Sequence, residues 1–159
     1  MIDSRDRRHL ERCVDLAEET LSAGNEPFGS ILVSQDGETL LEAVNEVGGG
    51  DPTRHPEFAI ARWAAENLAP EQRAKAVVYT SGEHCPMCSA AHAWAGLGRI
   101  VYASSAAQLT AWQGELGAAP SPVAPLPIRD VAPGVPVDGP VDDLATRVRD
   151  LHRRSNERG

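Results

Sequence analysis

The chain has 159 residues, 42% of them hydrophobic, which suits one soluble globular domain and argues against a second. Its formal charge of −8 at pH 7 speaks against a broad phosphate-binding face, because such faces need clustered Lys and Arg. Three cysteines cannot build a disulfide framework, and two of them share one short motif, so a reducing compartment is expected and the chain is read as cytoplasmic.

The run Met1-Ile2-Asp3-Ser4-Arg5-Asp6-Arg7-Arg8 leads into a charged amphipathic pattern, which predicts neither a signal peptide nor a membrane span. Leu10, Cys13, Val14, Ala17 and Leu21 recur at helical spacing, with Asp3 and Ser4 suited to cap the start and Gly24 to end it. Cys13 lies on that apolar stripe and reads as a buried, inert thiol. Phe28 to Ser34 and Thr39 to Asn45 form two short strands around the turn Gln35-Asp36-Gly37. The glycine-rich run from Gly48 to Thr53 is a surface loop, with a mobile site margin and a plain connector as equal alternatives.

A helix is expected from His55 to the break at Leu68-Ala69-Pro70, then a strand over Ala76 to Thr80 and a helix from Cys85 to Gly96. A strand over Arg99 to Ala103 and a helix from Ser105 to Glu115 follow. Ala118 to Pro127, with four prolines, is an extended connector, and Pro127 to Val131 is expected as a fifth strand. Leu144, Val148 and Leu151 make the terminal helix, about residues 141–155, amphipathic. Strands alternating with helices predict an α/β domain spanning 1–159, in which parallel neighbours are joined by right-handed crossovers and helices cover a central sheet.

Two motifs carry the chemistry, His55-Pro56-Glu57 and Cys85-Pro86-Met87-Cys88, each at an expected helix start. In strand-loop-helix units the functional crevice lies past the carboxyl ends of the strands, where helix N-termini point. His55, Cys85 and Cys88 can therefore meet at one metal ion, and the helix dipoles favour both cysteines as thiolates. Three ligands leave the fourth tetrahedral position of a zinc ion to water, and Glu57 can stand beside that position as a proton carrier. Alternatives remain at this level. A Cys-x-x-Cys opening a helix also suits thiol-disulfide exchange, although that chemistry has no use for a His and a Glu on another helix. A structural zinc closed by His84 as fourth ligand would make the domain a binding module.

The span from Asn25 to Ala103 resembles the cytidine deaminase-like superfamily, and within it the guanine deaminase and tRNA adenosine deaminase branch. The resemblance is carried by Asn25-Glu26-Pro27-Phe28-Gly29-Ser30, by His55-Pro56-Glu57 and by Glu83-His84-Cys85-Pro86-Met87-Cys88. His-x-Glu followed by a Cys-x-x-Cys is the signature of zinc-dependent nucleobase deaminases. The chain departs from it at His84, where the family usually has proline. The resemblance implies a three-layer α/β/α fold around a five-stranded mixed sheet, bound Zn2+ on His55, Cys85 and Cys88, and Glu57 as the catalytic proton shuttle. It also implies substrate contacts from Asn45 and Phe28, an acidic substrate contact for which Glu115 is the candidate, and a homodimer. His84 could add a polar group to the pocket, and Trp94, on the metal helix, has the pocket or the partner subunit as its candidate neighbours.

The substrate class divides on charge. Acting on a tRNA anticodon needs basic patches, whereas a free base needs only an enclosed pocket. The acidic chain favours a small free aminated heterocycle: guanine, cytosine, or a related aminopyrimidine or aminotriazine. Arg147, Arg149, Arg153, Arg154 and Arg158 leave the tRNA alternative open, the other reading being the solvated face of a terminal helix.

Overall fold

A computed structural model describes residues 1–158. In chain order it contains α1 (Ser4–Ser22), β1 (Gly29–Val33), β2 (Thr39–Val44), α2 (Pro56–Asn67), α3 (Pro70–Lys75), β3 (Val77–Gly82), α4 (Pro86–Trp94), β4 (Ile100–Ser104), α5 (Ala106–Glu115), α6 (Ile128–Val131), β5 (Val137–Asp138) and α7 (Asp142–Glu157). The five strands form one sheet in the order β2-β1-β3-β4-β5.

Alternation along the strands divides the core into two halves. Ile31, Val33, Tyr79, Val101 and Ala103 face α1, α5 and α7, where Leu10, Cys13, Val14, Trp112, Leu144, Val148 and Leu151 complete one cluster. Leu32, Val78, Ile100 and Tyr102 face the other way, onto Ile60, Ala61 and Ala64 of α2, Leu97, and Ile128 of α6. Buried on both faces, β1, β3 and β4 need unbroken runs of apolar or small residues. Gly29 allows the close approach of α1 to β1, since a Cβ there would lie 2.6 Å from the Cys13 carbonyl oxygen. The capping box of α1 is completed by Asp3 and Asp6, and the buried Asp6 carboxylate also accepts from Tyr79 Oη (2.7 Å) and Arg99 Nη1 (3.0 Å). Burial would raise Asp6, yet these donors hold it down at about 2.

The sheet is mixed, as the resemblance implies: β3-β4 and β4-β5 are parallel, whereas β1 is antiparallel to β2, its hairpin partner, and to β3. The hairpin places β2 at the edge, and the chain returns through α2 to the far side of β1, so β2 and β3 run in the same direction without touching. The segment from Pro127 to Val131 is not a strand: Ile128–Val131 is a helical turn, its Ile128 amide bound by Glu83 Oε2 at 2.8 Å. The fifth strand is Val137–Asp138, which follows the Pro133-Gly134 turn and pairs with Ile100 and Val101. Pro70 ends α2 as expected but also occupies the first turn of α3, where its missing N–H costs nothing.

His152 of α7 is buried between Phe28 (ring centroids 5.1 Å) and Trp112 (6.2 Å), and burial lowers its pKa to about 4. The unfolded chain, with an ordinary histidine, binds the proton first. Stability linked to His152 is therefore complete above the normal histidine range and declines as pH falls from about 6.5 to about 4, by up to about 3 kcal/mol. Urea unfolding of the protein and of His152→Phe across pH 4–8 checks this: the variant should lack that part of the acid slope.

Candidate active site and metal centre

Both ligand-bearing motifs are X-Pro dipeptides, and this dictates their local structure. A residue before proline is pushed out of the helical region, while proline itself is preset for the first helical position. His55 (φ −90°, ψ 141°) and Cys85 (φ −68°, ψ 168°) are accordingly extended N-caps, with Pro56 and Pro86 opening α2 and α4. Each helix thus begins with a ligand at its cap and a second functional residue in its first turn, Glu57 in α2 and Cys88 in α4.

The two starts converge at one end of the sheet. His55 Nδ1 lies 3.5 Å from Cys85 Sγ and 3.6 Å from Cys88 Sγ, and the three ligand atoms fall within 4.8 Å of one another. Tetrahedral zinc with bonds of about 2.3 Å to sulfur and about 2.0 Å to nitrogen separates such ligands by about 3.5 Å, so this donor set fits zinc. Protonation is strongly shared within the cluster. The hydrogen bond from the Cys88 thiol, against the opposing effect of burial, brings Cys85 down to about 4. Cys88 is correspondingly pushed far up, by Cys85 first and burial second. The hydrogen bond with Cys85 raises His55. A cation can take the place of the protons that these groups otherwise share.

Glu57 is 6% exposed, and burial, followed by the charge of Cys85, raises its pKa above the usual carboxylate range. Its Oε1 accepts from Ser30 Oγ (3.1 Å) and Thr80 Oγ1 (3.0 Å), two hydroxyls themselves 2.8 Å apart. Sequence reasoning missed this pair. The available signal was two small polar residues inside mostly apolar strands, on the alternation that faces α2.

Asn45 follows β2 and is buried. Its carbonyl Oδ1 accepts from the Val47 amide (3.1 Å) and the Glu26 amide (3.3 Å), whereas Nδ2 is buried without a partner in the chain. Phe28 is tied to it by the bond from the Asn45 amide to the Phe28 carbonyl (3.0 Å), which sets both at the metal end of the sheet, and its half-buried ring packs on His152. His84 is 1% exposed, packs edge-on against His92 at 5.3 Å, and has no partner for either ring nitrogen. Glu115 ends α5, where its exposed carboxylate pairs with Arg149 at 2.8 Å. The ion pair ties Glu115 to α7. Glu83, quoted above only as part of a motif, binds the Ala106 and Ile128 amides (3.0 and 2.8 Å) and fixes the loop that presents Cys85.

A cavity of about 700 Å³ lies elsewhere, beside the starts of β3 and β4, lined by Lys75, Val77, Leu97, Arg99 and Val135. It offers little chemistry: Arg99 is already bound to Asp6 and Asp138, and the rest of the lining is mostly apolar side chains and backbone.

Residues 3–104 match the family model described as the cytidine and deoxycytidylate deaminase zinc-binding region. The chain belongs to this family. Among curated deaminase-family relatives, a guanine deaminase of Bacillus subtilis is 40% identical over 97 residues, covering 60% of this chain and 62% of its own. A probable cytosine deaminase of Schizosaccharomyces pombe is 30% identical over 104 residues, covering 65% and 63%. The matched segment therefore spans somewhat under two thirds of these relatives. A solved structure of an NE0047 variant in complex with 8-azaguanine gives a TM-score of 0.74 at 20% identity, over 99% of this chain and 87% of that one, which establishes a shared fold.

Purified protein should carry one zinc ion per chain by elemental analysis. Cys88→Ala should weaken zinc at least about 100-fold in chelator competition, since it removes a ligand outright. Stripping the metal should also lower the melting temperature, because the cluster exists only in the folded chain.

Proposed function

We propose that this protein is a zinc-dependent hydrolase that removes the exocyclic amine of a small free heterocycle and releases ammonia. The substrate is guanine, cytosine, or a related aminopyrimidine or aminotriazine. The observation that carries this reading is a buried carboxylate, Glu57, opening the helix whose cap supplies one ligand of a His-Cys-Cys cluster. Zinc held by His55, Cys85 and Cys88 supplies, when bound, a Lewis acid that lowers the pKa of a coordinated water to about 7.

The remaining chemistry belongs to the chain. Glu57 takes a proton from the attacking water, delivers it to a ring nitrogen, and returns a second proton to the departing amine, so that water and aminated ring become carbonyl and ammonia. Its burial beside the ligand cluster keeps it close to the reacting groups and away from bulk water. The unpartnered Nδ2 of Asn45 is a buried donor awaiting an acceptor, which a ring carbonyl or ring nitrogen supplies. Phe28, beside Asn45, offers a ring face or edge to a flat heterocycle.

The free-base reading is supported by how α7 spends its arginines. Arg147 pairs with Asp15 (3.1 Å), Arg149 with Glu115 (2.8 Å), Arg153 with Asp150 and Glu157 (both 2.7 Å) and Arg154 with Glu18 (2.9 Å), while Arg158 donates to the Leu21 carbonyl. Such exposed pairs add little stability, but they neutralise the positive field that an RNA backbone would need. The names of the guanine and cytosine deaminase relatives, and the 8-azaguanine carried by NE0047, point to the same class of substrate. Free thiols as metal ligands suit a cytoplasmic setting.

Ammonia release should be assayed from guanine, cytosine, aminopyrimidines, aminotriazines and adenosine-containing tRNA. At least one free base should be turned over. Glu57→Gln should lower kcat about 1,000-fold with zinc retained, and Asn45→Ala should raise KM about tenfold. Deamination of tRNA alone overturns the free-base reading, and a Glu57→Gln variant as active as the parent overturns the enzyme reading in favour of a zinc-stabilised module.

We further propose that the chain works as a homodimer. Trp94, at the end of α4, is 89% exposed, an apolar surface of the kind that a second copy covers. Light scattering at micromolar concentration should give twice the chain mass, and a monomer there refutes the proposal.

A further inference from the structure

Ser30 and Thr80 are directly opposite each other in the antiparallel pairing of β1 with β3. Alternation turns both side chains toward the α2 face of the sheet, beneath the first turn of that helix. Both are completely buried, in strands whose remaining side chains are mostly apolar, Ser81 being the other buried hydroxyl. A buried hydroxyl costs stability unless it is satisfied, so two of them facing each other invite a reason. The reason is Glu57: both hydroxyls lie within hydrogen-bond reach of the same atom, Oε1, at 3.1 and 3.0 Å, and Thr80 Oγ1 is also 2.9 Å from the Gly82 carbonyl. Among the described residues Oε2 receives no hydrogen bond from an N–H or hydroxyl donor, and the Cys88 thiol is the other side chain that meets the carboxylate.

We infer that the cross-strand hydroxyl pair Ser30–Thr80 positions Glu57, clamping Oε1 against the sheet so that Oε2 is the oxygen left for the reacting water. Among the described residues neither Ser30 nor Thr80 hydrogen-bonds a metal ligand, and on this assignment neither meets the substrate. They act through Glu57 alone. A glutamate near the start of a helix otherwise has three rotatable bonds and two equivalent oxygens, and the clamp removes that freedom from below. The rigid element behind it is the sheet itself, since Ser30 and Thr80 belong to neighbouring, hydrogen-bonded strands. A misplacement of about 1 Å in a proton-transfer group can cost about 100-fold in rate, which is the scale on which such a clamp acts.

The kinetic consequence rests on the deaminase reading, whereas the structural one does not. The test uses zinc-loaded Ser30→Ala, Thr80→Val and their combination, with Thr80→Ser as the conservative control. On the base turned over best by the parent, the double variant should lose about 10- to 100-fold in kcat with KM within about threefold, and Thr80→Ser should recover to within about threefold of the parent. Zinc content should be unchanged throughout. High-resolution crystal structures of the zinc-loaded parent and double variant supply a readout independent of turnover. The Glu57 carboxylate should adopt one orientation in the parent and more than one, or a different one, in the variant. An unchanged kcat in the zinc-replete double variant overturns the inference. So does a carboxylate whose orientation is identical in both crystals. If the parent deaminates none of the bases, the deaminase reading falls, and the crystal comparison alone decides whether the clamp stands.

Discussion

The whole site depends on two helices that start at the same place. A histidine and a cysteine each precede proline, and that single covalent fact makes both residues extended, both helices begin one residue later, and both ligand side chains leave the backbone at a helix cap. The sheet then determines that the two caps meet. β1 lies between β2 and β3, and the crossover through α2 brings its start beside the loop that follows β3. A histidine nitrogen and, some thirty positions on, two cysteine sulfurs thereby gather at distances that suit a tetrahedral ion.

What was legible in the sequence follows from how local each signal is. The proline-opened helices, the amphipathic α1 and α7 and the hairpin turn are all written within a few residues of where they act, and they appear close to where expected. The metal cluster and Glu57 were legible because their spacing is itself chemical. Strand order was not, since the position of β1 between β2 and β3 depends on which edge the crossover reaches. The fifth strand was misplaced because Ile128 and Val131 have the composition of a strand, while the carboxylate that turns them into a helix, Glu83, lies 45 residues away. For the same reason the hydroxyls beneath Glu57 were invisible: Ser30 and Thr80 are unremarkable until their register is known.

Charge is distributed with a similar economy. A basic C-terminal segment on an acidic chain invites thoughts of an acidic partner, yet the basic groups are turned back onto α1, α5 and α7 itself. The acidic excess at the surface and the lone buried carboxylate at the metal are therefore separate matters. One shapes what approaches from solution; the other operates where solvent is excluded and each hydrogen bond carries more weight.

The carboxylate of Glu83 ends up knotting together three distant stretches of backbone. One oxygen holds the opening of α5 and the other the opening of α6, so the stretch made of α5 and the proline-rich excursion after it begins and ends on a single side chain two residues from Cys85. Such a tether separates composition from length. Between its pinned ends the excursion is free to drift in sequence or to bulge outward with extra residues, while the thiol-bearing loop stays where it is. Variation in that stretch can therefore remodel the outer surface without disturbing the metal ligands.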